Sequence, residues 1–430
     1  MTRLTLMGPL AILAAGVLSF AACTPSAPSA APSASSVAPS SAPPAPSAEA
    51  TPAPSGAADA IFDAIQQQVL AIRGLQLASV ERETIDEEAL RTHTAKSFDE
   101  DNPAEYVAGN ERLYKALGLM SEEQSLKGLY LELLGSQVAG FYDPDEKQLF
   151  VVSRTGAING ADKITFAHEY DHALQDANFT VFAQQKEFLD ESDEALARAA
   201  IYEGDATLLM ALWAGQNLSA EEFADVTQAG TDPESMEILA RTPKILVEGL
   251  LFPYGAGQAF VLPIQTSGGW DAVNALYDRM PRSTEQILHP DKYRSGEDPV
   301  DVQLPATLAA DMGDGWTESI QDTFGEFQMR TWLNEAKVQS AIASAAAAGW
   351  GGDRLAVLQG PDAWAVVMKT TWDTDKDASE FQQAAGDAVT DGPNTGTVIA
   401  DGRDVTVFFA SARTVLDRAV SAAGYVTATD

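Results

Sequence analysis

The stretch His168-Glu169-Tyr170-Asp171-His172 spells His-Glu-x-x-His and lies in a segment whose flanks favour a helix. Residues four apart lie one above the other on one face of a helix, so both imidazoles can bind one metal ion. Glu169 then points toward a metal-activated water. Apolar residues at steps of three and four mark another face of the same helix, and they are Ala167, Tyr170, Leu174 and Ala177. The pattern predicts a packed helix with a metal site suited to hydrolysis.

A third ligand must come from elsewhere, because a catalytic zinc site has three protein ligands and one position for water. The segment Glu194 to Gln216 predicts a long apolar helix with Glu203 in the middle of its apolar stripe. A buried, ionised carboxylate is costly unless it is paired or binds a metal, so we expect Glu203 to be the third ligand. The two carboxylates that compete for this role at shorter spacing are Glu191 and Glu194.

The residue after Glu203 is also informative. Gly204 lowers helix propensity by about 1 kcal/mol relative to Ala, which makes sense if another helix must approach closely there. We therefore expect a second helix to cross the Glu203 helix at this position.

The run His168 to Asp176 resembles the metal-binding helix of the gluzincins, the thermolysin-like zinc peptidases, including the Ala after the second His and the Asp four beyond it. The segment Glu203 to Ala206 is similar to the third-ligand segment of several bacterial lipoprotein zincins. The resemblance covers about Gln137 to Gln216. It implies a zincin-like fold, a Zn²⁺ ion held by the two motif histidines and Glu203, and a protein or peptide substrate.

The resemblance also implies a mechanism. Glu169 would take a proton from the activated water and pass it to the leaving amine. The oxyanion would then need a hydrogen-bond donor, and we expect it to be Tyr254, beside a glycine-rich bend, or His289, which precedes a proline.

The chain departs from the thermolysin-like pattern at one position. Those enzymes place the third-ligand Glu closer to the second His and carry an Asp four residues after that Glu, whereas this chain has Thr207 there. We therefore expect Asp205 or Asp176 to orient a ligand imidazole instead.

The first residues predict an export signal over positions 1–23. Arg3 precedes an apolar run from Leu4 to Phe20, and two alanines lead to Cys23. This arrangement resembles a bacterial lipobox, which implies a lipid on Cys23 and anchoring at the outer face of the cell membrane. A secreted protein and an uncleaved anchor are the alternatives. No second apolar run of about twenty residues stands out as able to span a bilayer.

Composition limits the remaining possibilities. Residues 24–58 are almost wholly Pro, Ser, Ala and Thr, which predicts a disordered linker. The whole chain has 430 residues, of which 45% are hydrophobic, enough for a substantial core. Its formal net charge of -35 is dispersed and argues against nucleic-acid binding. A single cysteine leaves no intrachain disulfide.

The folded part is predicted to be α+β, with a zincin-like catalytic domain over residues 59–304. Helical patterns occupy 61–75 and 113–133. The runs Gln137 to Tyr142 and Leu149 to Ser153 flank a turn-rich insert and predict a hairpin, and Asp162 is a plausible N-cap for the motif helix. An edge strand beside that helix can hold a peptide in extended form.

Residues 305–430 are predicted to form a small C-terminal α+β domain with a structural or substrate-recognition role. The expected helices are 320–334, 338–348, 377–389 and 411–423, and the expected strands are 355–358, 364–371, 397–400 and 405–410. This region has no motif for a metal, a nucleophile or a phosphate.

Together the patterns favour an exported zinc-dependent endopeptidase. One alternative is a catalytically silent zincin-like lipoprotein that binds a partner at the cell surface through a structural metal site. The presence of Glu169 argues against it, since a structural site needs no base. The other alternative is a non-enzymatic envelope lipoprotein whose motif arose by chance.

Overall fold

The computed structural model describes residues 10–12, 55–76, 78–153, 158–179, 182, 188 and 190–426. The fold is mixed α+β with two sheets. The strands are β1 Leu10–Ile12, β2 Glu81–Ile85, β3 Val138–Asp143, β4 Gln148–Val152, β5 Thr317–Asp322, β6 Trp350–Gly360, β7 Ala363–Trp372, β8 Thr395–Asp401 and β9 Asp404–Ala410. The helices of the first part are α1 Ser55–Arg73, α2 Glu87–Asp101, α3 Ala104–Ala116, α4 Leu126–Gln137, α5 Gly160–Phe179, α6 Ser192–Asn217, α7 Ala220–Ala229, α8 Pro233–Arg241 and α9 Lys244–Asn274. The later helices are α10 Thr284–Leu288, α11 Pro290–Ser295, α12 Leu308–Asp311, α13 Gly325–Glu335, α14 Ser340–Ala347, α15 Asp375–Asp391 and α16 Arg413–Ala422.

The first sheet has the strand order β1-β3-β4-β2. Strands β3 and β4 form the antiparallel hairpin that the turn-rich insert predicts, with Gly140 opposite Val151. Strand β2 pairs with β4 in parallel, and the sequence analysis missed it because its residues, Glu-Arg-Glu-Thr-Ile, lack the alternation of a half-buried strand.

Strand β1 comes from within the predicted export signal and pairs antiparallel with the other edge of β3. The edge of β3 therefore accepts an extended segment through main-chain hydrogen bonds. The rest of the signal, Cys23 and the linker up to residue 54 lie outside the described residues, so the lipid anchor stays a prediction.

Helix α5 carries the His-Glu-x-x-His motif and lies directly against the hairpin. A Cβ at Gly140 would lie 2.6 Å from Thr165 Cγ2 and 3.6 Å from Glu169 Cγ, so only glycine allows β3 to come this close to the helix. The N-cap prediction is wrong: Asn159 Oδ1 accepts from the backbone of the first turn, while Asp162 bonds back to the Asn159 N–H. Strand β3 of the hairpin thus packs closely against α5.

The predicted close crossing at Gly204 is confirmed, and the second helix is α9. A Cβ at Gly204 would lie 2.3 Å from the carbonyl carbon of Gly257, and a Cβ at Gly257 would lie 2.0 Å from the Ala200 oxygen. Two glycines facing each other let the helix backbones touch beside Glu203. This contact fixes α6 against α9 at the level of the third predicted ligand.

Helix α9 also corrects the expectation of a single apolar run. The segment Lys244–Asp278 is long and apolar enough to cross a membrane by length and composition, and 56% of its most apolar window is buried inside the structure. Pro253, Pro263 and a non-helical Gly269 (φ 69°) interrupt its pattern, which is why the sequence did not present it as one helix.

The second sheet is antiparallel, with the order β5-β6-β7-β9-β8, and helices α15 and α16 pack against it. The predicted strands and helices of this region are present, except that the helix expected from residue 320 begins at Gly325, and Ile320 lies in β5. A single hydrophobic cluster joins residues on both sides of the predicted domain boundary at 304 and 305, among them Leu246, Leu250, Phe324 and Trp332. The two predicted domains therefore share a core.

The C-terminal region also caps the helix that carries Glu203. No side chain at the start of α6 caps it. Instead Asp322 Oδ1 accepts from the Ser192 N–H at 2.8 Å, and Thr323 Oγ1 accepts from the Asp193 N–H at 3.3 Å. Residues far along the chain thus satisfy the first free amides of α6.

We expect the capping residue Asp322 to make the stability of the fold depend on pH. Burial raises the pKa of Asp322 to about 7, although hydrogen bonds from Ser192 and Thr323 oppose the shift. An unfolded Asp titrates near pH ~4, so between these values the folded chain binds a proton that the unfolded chain does not, and stability falls as pH rises. Asp322→Asn keeps the Oδ1 acceptor and removes the titration. We expect urea unfolding at about pH 5 and about pH 8 to differ less in this variant than in the parent chain.

The matched control for this prediction is Glu318→Gln on the exposed side of the same strand, which should leave the difference between the two pH values unchanged. An unaltered difference in Asp322→Asn would show that the buried carboxyl does not set the pH dependence.

Candidate metal centre

The structure brings the three predicted metal ligands together. His168 Nε2 lies 3.1 Å from Glu203 Oε2, His172 Nε2 lies 3.3 Å from the same oxygen, and the two Nε2 atoms are 3.0 Å apart. All three side chains are buried, and these ligand atoms form a group that could hold a metal ion. The centre joins α5 to α6, as the burial argument for Glu203 predicts.

Charge in this group is balanced between the side chains. Burial lowers the pKa of His172, but the charge of Glu203 and a hydrogen bond to it outweigh burial and raise the pKa to about 9. Burial dominates at His168, whose pKa is lowered. Burial raises the pKa of Glu203, yet attraction by the histidines outweighs it and the pKa is lowered. The centre therefore contains an ionised Glu203 carboxylate whose charge the protonated His172 balances. A bound cation can supply that positive charge in place of the proton.

The residue that orients a ligand imidazole is Gln175, which the sequence analysis did not single out. Gln175 Oε1 lies 3.0 Å from His172 Nδ1, and its amide nitrogen donates to Asp171 Oδ2 and to the Tyr202 carbonyl. An Nδ1–H that donates to Gln175 leaves the Nε2 lone pair of His172 free to face the metal position. The position of Gln175, three residues after His172 on the same helix, could have indicated this contact.

Neither carboxylate expected to orient an imidazole makes that contact. Asp176 accepts from the Tyr142 hydroxyl at 2.9 Å and pairs with Lys147, which ties the hairpin to the end of α5. Asp205 accepts from Arg73 at 2.6 Å and from the Tyr277 hydroxyl at 2.7 Å. Both are held by partners other than the histidines among the described contacts.

The competing ligand candidates are also engaged elsewhere. Glu194 Oε1 bonds to Arg198 at 2.6 Å, and Glu191 Oε1 bonds to Arg354 at 2.9 Å. Both lie in the first turn or cap of α6, more than two helical turns before Glu203. Their positions leave Glu203 as the third ligand candidate.

The predicted base, Glu169, is fully buried between the motif histidines on α5. Its charge acts on His172 and on Tyr254, so its carboxylate belongs to the same polar group as the ligands. Gly140 of β3, which pairs with Ala11 of β1, lies beside the Glu169 side chain.

The two oxyanion candidates lie in different surroundings. The Tyr254 ring stacks on His168 with ring centroids 5.9 Å apart, and burial together with the charges of Glu203 and Glu169 raises the pKa of its hydroxyl. That hydroxyl therefore stays protonated and can donate. His289 Nε2 instead bonds to Glu326 at 2.9 Å, and no described contact joins it to the metal ligands. The structure thus places Tyr254 at the centre and His289 in a separate polar pair.

The structure has a cavity of about 1270 Å³ between the first sheet and the neighbouring helices. Its lining includes Ala139 of β3, Ala161 of α5 and Gly255 of α9, and of these Ala139 precedes Gly140 and Gly255 follows Tyr254 in the chain. None of the three ligand residues lines this cavity, which agrees with their burial.

Comparison with known proteins adds one finding. A family model described as a domain of unknown function (DUF8575) matches residues 315–424, from just before β5 to just after α16. The match covers about a quarter of the chain and does not include the metal centre. No curated protein and no solved structure matches the chain significantly.

Proposed function

We propose that this chain is a zinc-dependent endopeptidase of the gluzincin type with a zincin-like catalytic fold. The observation that carries the proposal is the convergence of His168, His172 and Glu203, with ligand atoms 3.0 to 3.3 Å apart. Tetrahedral zinc with bonds of about 2.0–2.1 Å separates its ligand atoms by roughly 3.3 Å, so the arrangement fits this ion. Two imidazoles and one carboxylate are the donor set of thermolysin-type catalytic zinc.

His168, His172 and Glu203 would hold the zinc ion, which would supply Lewis-acid activation of a water molecule and of the scissile carbonyl. Glu169 accepts a proton from that water as its oxygen forms the bond to the carbonyl carbon. The Tyr254 hydroxyl donates to the carbonyl oxygen as negative charge develops there. Glu169 then delivers the proton to the amide nitrogen, and the C–N bond breaks to release an amine and a carboxylic acid.

The substrate position follows from the first sheet. Strand β1 pairs antiparallel with β3 from Leu10 to Ile12, which supports the use of this edge by an extended peptide once the export signal has been removed. A peptide at that edge would pass beside Gly140, and therefore beside Glu169. The proposed substrate is an unfolded or extended protein segment.

A catalytically silent binding protein is the second candidate, and one observation favours it. His168, His172 and Glu203 are at most 3% exposed, and closed sites are typical of structural metals, whereas catalytic sites keep an open position. Under this alternative the metal holds α5 against α6, and the cavity binds a partner.

The test is hydrolysis of a fluorescence-quenched peptide library by the full chain purified in mild detergent. We expect cleavage that a chelator abolishes and one equivalent of zinc restores. Zinc bound at one per chain without cleavage would favour the silent binding protein. A chain that neither binds zinc nor cleaves would favour a motif that arose by chance.

We place this activity outside the cell, on a lipid anchor at Cys23. The support is the apolar leader, the single cysteine and the Pro/Ser/Ala linker, all read from the sequence. A linker of that composition would hold the folded part away from the membrane surface.

A further inference from the structure

Arg73 is the last residue of α1, more than ninety positions before the motif, and it is buried in the middle of the first part of the fold. Its Nη2 bonds to Asp205 Oδ2 at 2.6 Å, and its Nε lies 3.3 Å from Asp171 Oδ1. Asp171 precedes the ligand His172 on α5, and Asp205 follows the ligand Glu203 by two residues on α6. One guanidinium therefore bridges the two helices that carry the metal ligands.

The end of α9 holds Arg73 from the other side. Arg73 Nη1 donates to Asn274 Oδ1 at 2.7 Å, and the guanidinium carbon of Arg73 lies 4.5 Å from the centre of the Trp270 ring. Gly269, with φ 69° and ψ -167°, breaks the helix just before these residues and turns them toward the cation. Asn274 and Trp270 thus hold the guanidinium together with the two aspartates.

A continuous chain of contacts leads from Arg73 to a metal ligand. Arg73 contacts Asp171, whose other oxygen accepts from Gln175, and Gln175 bonds to His172 Nδ1. A rotation or slide of α5 against α6 would stretch one arm of the arginine bridge. The planar guanidinium donates a hydrogen bond to Asp205 while its Nε forms an ion pair with Asp171, and a single ammonium would not reproduce this pair of contacts.

We propose that Arg73 is a positioning residue that sets the separation of the two helices carrying the proposed metal ligands, so that α1 is an integral part of the metal centre. The purpose of this positioning rests on the proposed metal-dependent function. The geometry of the Arg73 bridge rests on the described contacts alone. Cleavage of the chain after Arg73 would leave the bridge attached only through its side-chain contacts.

The test compares Arg73→Met with Arg82→Met in the full chain. Arg82 is the matched control because it also ties α1 to a neighbouring element, through Asp63 at 2.7 Å, and no described hydrogen bond or ion pair joins it to α5 or α6. Hydrogen exchange of metal-free protein reports on the helices, and competition with a chelating dye gives the zinc dissociation constant. We expect Arg73→Met to speed exchange over 168–176 and 200–208 and to raise the zinc dissociation constant by about 10- to 100-fold, with neither effect in Arg82→Met.

Cobalt substitution adds a readout of geometry, since the visible spectrum of Co²⁺ depends on how its ligands are arranged. An altered spectrum in Arg73→Met supports the positioning role. Unchanged exchange in both helices overturns it, whatever the zinc affinity. If the parent protein binds no zinc but Arg73→Met still exchanges faster than the parent, the positioning role of Arg73 stands and the proposed function is refuted. The two failures are therefore distinguishable.

Arg73→Lys covers the case in which Arg73→Met does not fold. It keeps the charge but cannot span both carboxylates, so we expect zinc affinity between those of the parent and the Met variant. Full recovery of the parent's exchange and zinc affinity by lysine would overturn the bridge, because charge alone would then suffice.

Discussion

Glu169→Gln is expected to abolish peptide hydrolysis while zinc binding stays intact. The substitution is isosteric at a fully buried position, so the packing of α5 against β3 is kept. An amide cannot accept the proton of the attacking water, and general base catalysis is worth about 10²- to 10⁴-fold in rate. We expect kcat/KM to fall by that factor, with one zinc per chain as in the parent protein.

Two measurements make this prediction specific. Zinc content by mass spectrometry separates loss of the base from loss of the metal, and the thermal midpoint reports on folding. Glu83→Gln on β2, where the side chain accepts from Gln148 at the far edge of the sheet, makes the same change outside the centre and should retain activity. Hydrolysis at the parent rate by Glu169→Gln would show that another group accepts the proton.

Glu203→Gln is expected to lose zinc and activity together. The carboxylate is the only anionic group among the three ligands, and both histidines lie within 3.3 Å of its Oε2. Loss of a residue that merely orients a ligand costs 10- to 100-fold in metal affinity, so loss of the ligand itself should cost more than about 100-fold. The zinc dissociation constant measured by dye competition should rise accordingly.

Glu194→Gln is the matched control for this experiment. It changes another carboxylate of α6, which pairs with Arg198 instead of the histidines, and it was a competing ligand candidate. We expect parent zinc affinity in this variant. The opposite pattern, with zinc lost in Glu194→Gln and kept in Glu203→Gln, would assign the ligand to the start of the helix.

Local sequence signals predicted the parts of the centre that depend on one helix or one turn. The spacing of His168 and His172 requires only helical geometry. Glu203 could be predicted because a carboxylate inside an apolar stripe needs a partner, and Gly204 indicated the crossing helix. The hairpin of β3 and β4 followed from alternation around a turn.

Features that depend on distant chain segments could not be predicted in this way. Arg73 lies at the end of α1 with no local sign of its buried partners on α5 and α6. Asp322 caps a helix that begins 130 residues earlier, and β2 carries charges typical of a loop. In each case a tertiary contact determines the local structure or the role of the residue, and propensity within a short window says nothing about long-range pairing.

The most direct test of the account is anomalous X-ray scattering from zinc-loaded crystals of the full chain, recorded on both sides of the zinc absorption edge. We expect a single anomalous peak per chain, in contact with His168 Nε2, His172 Nε2 and Glu203. A peak bound to other residues, or none beside the two motif histidines in crystals grown with excess zinc, would contradict it.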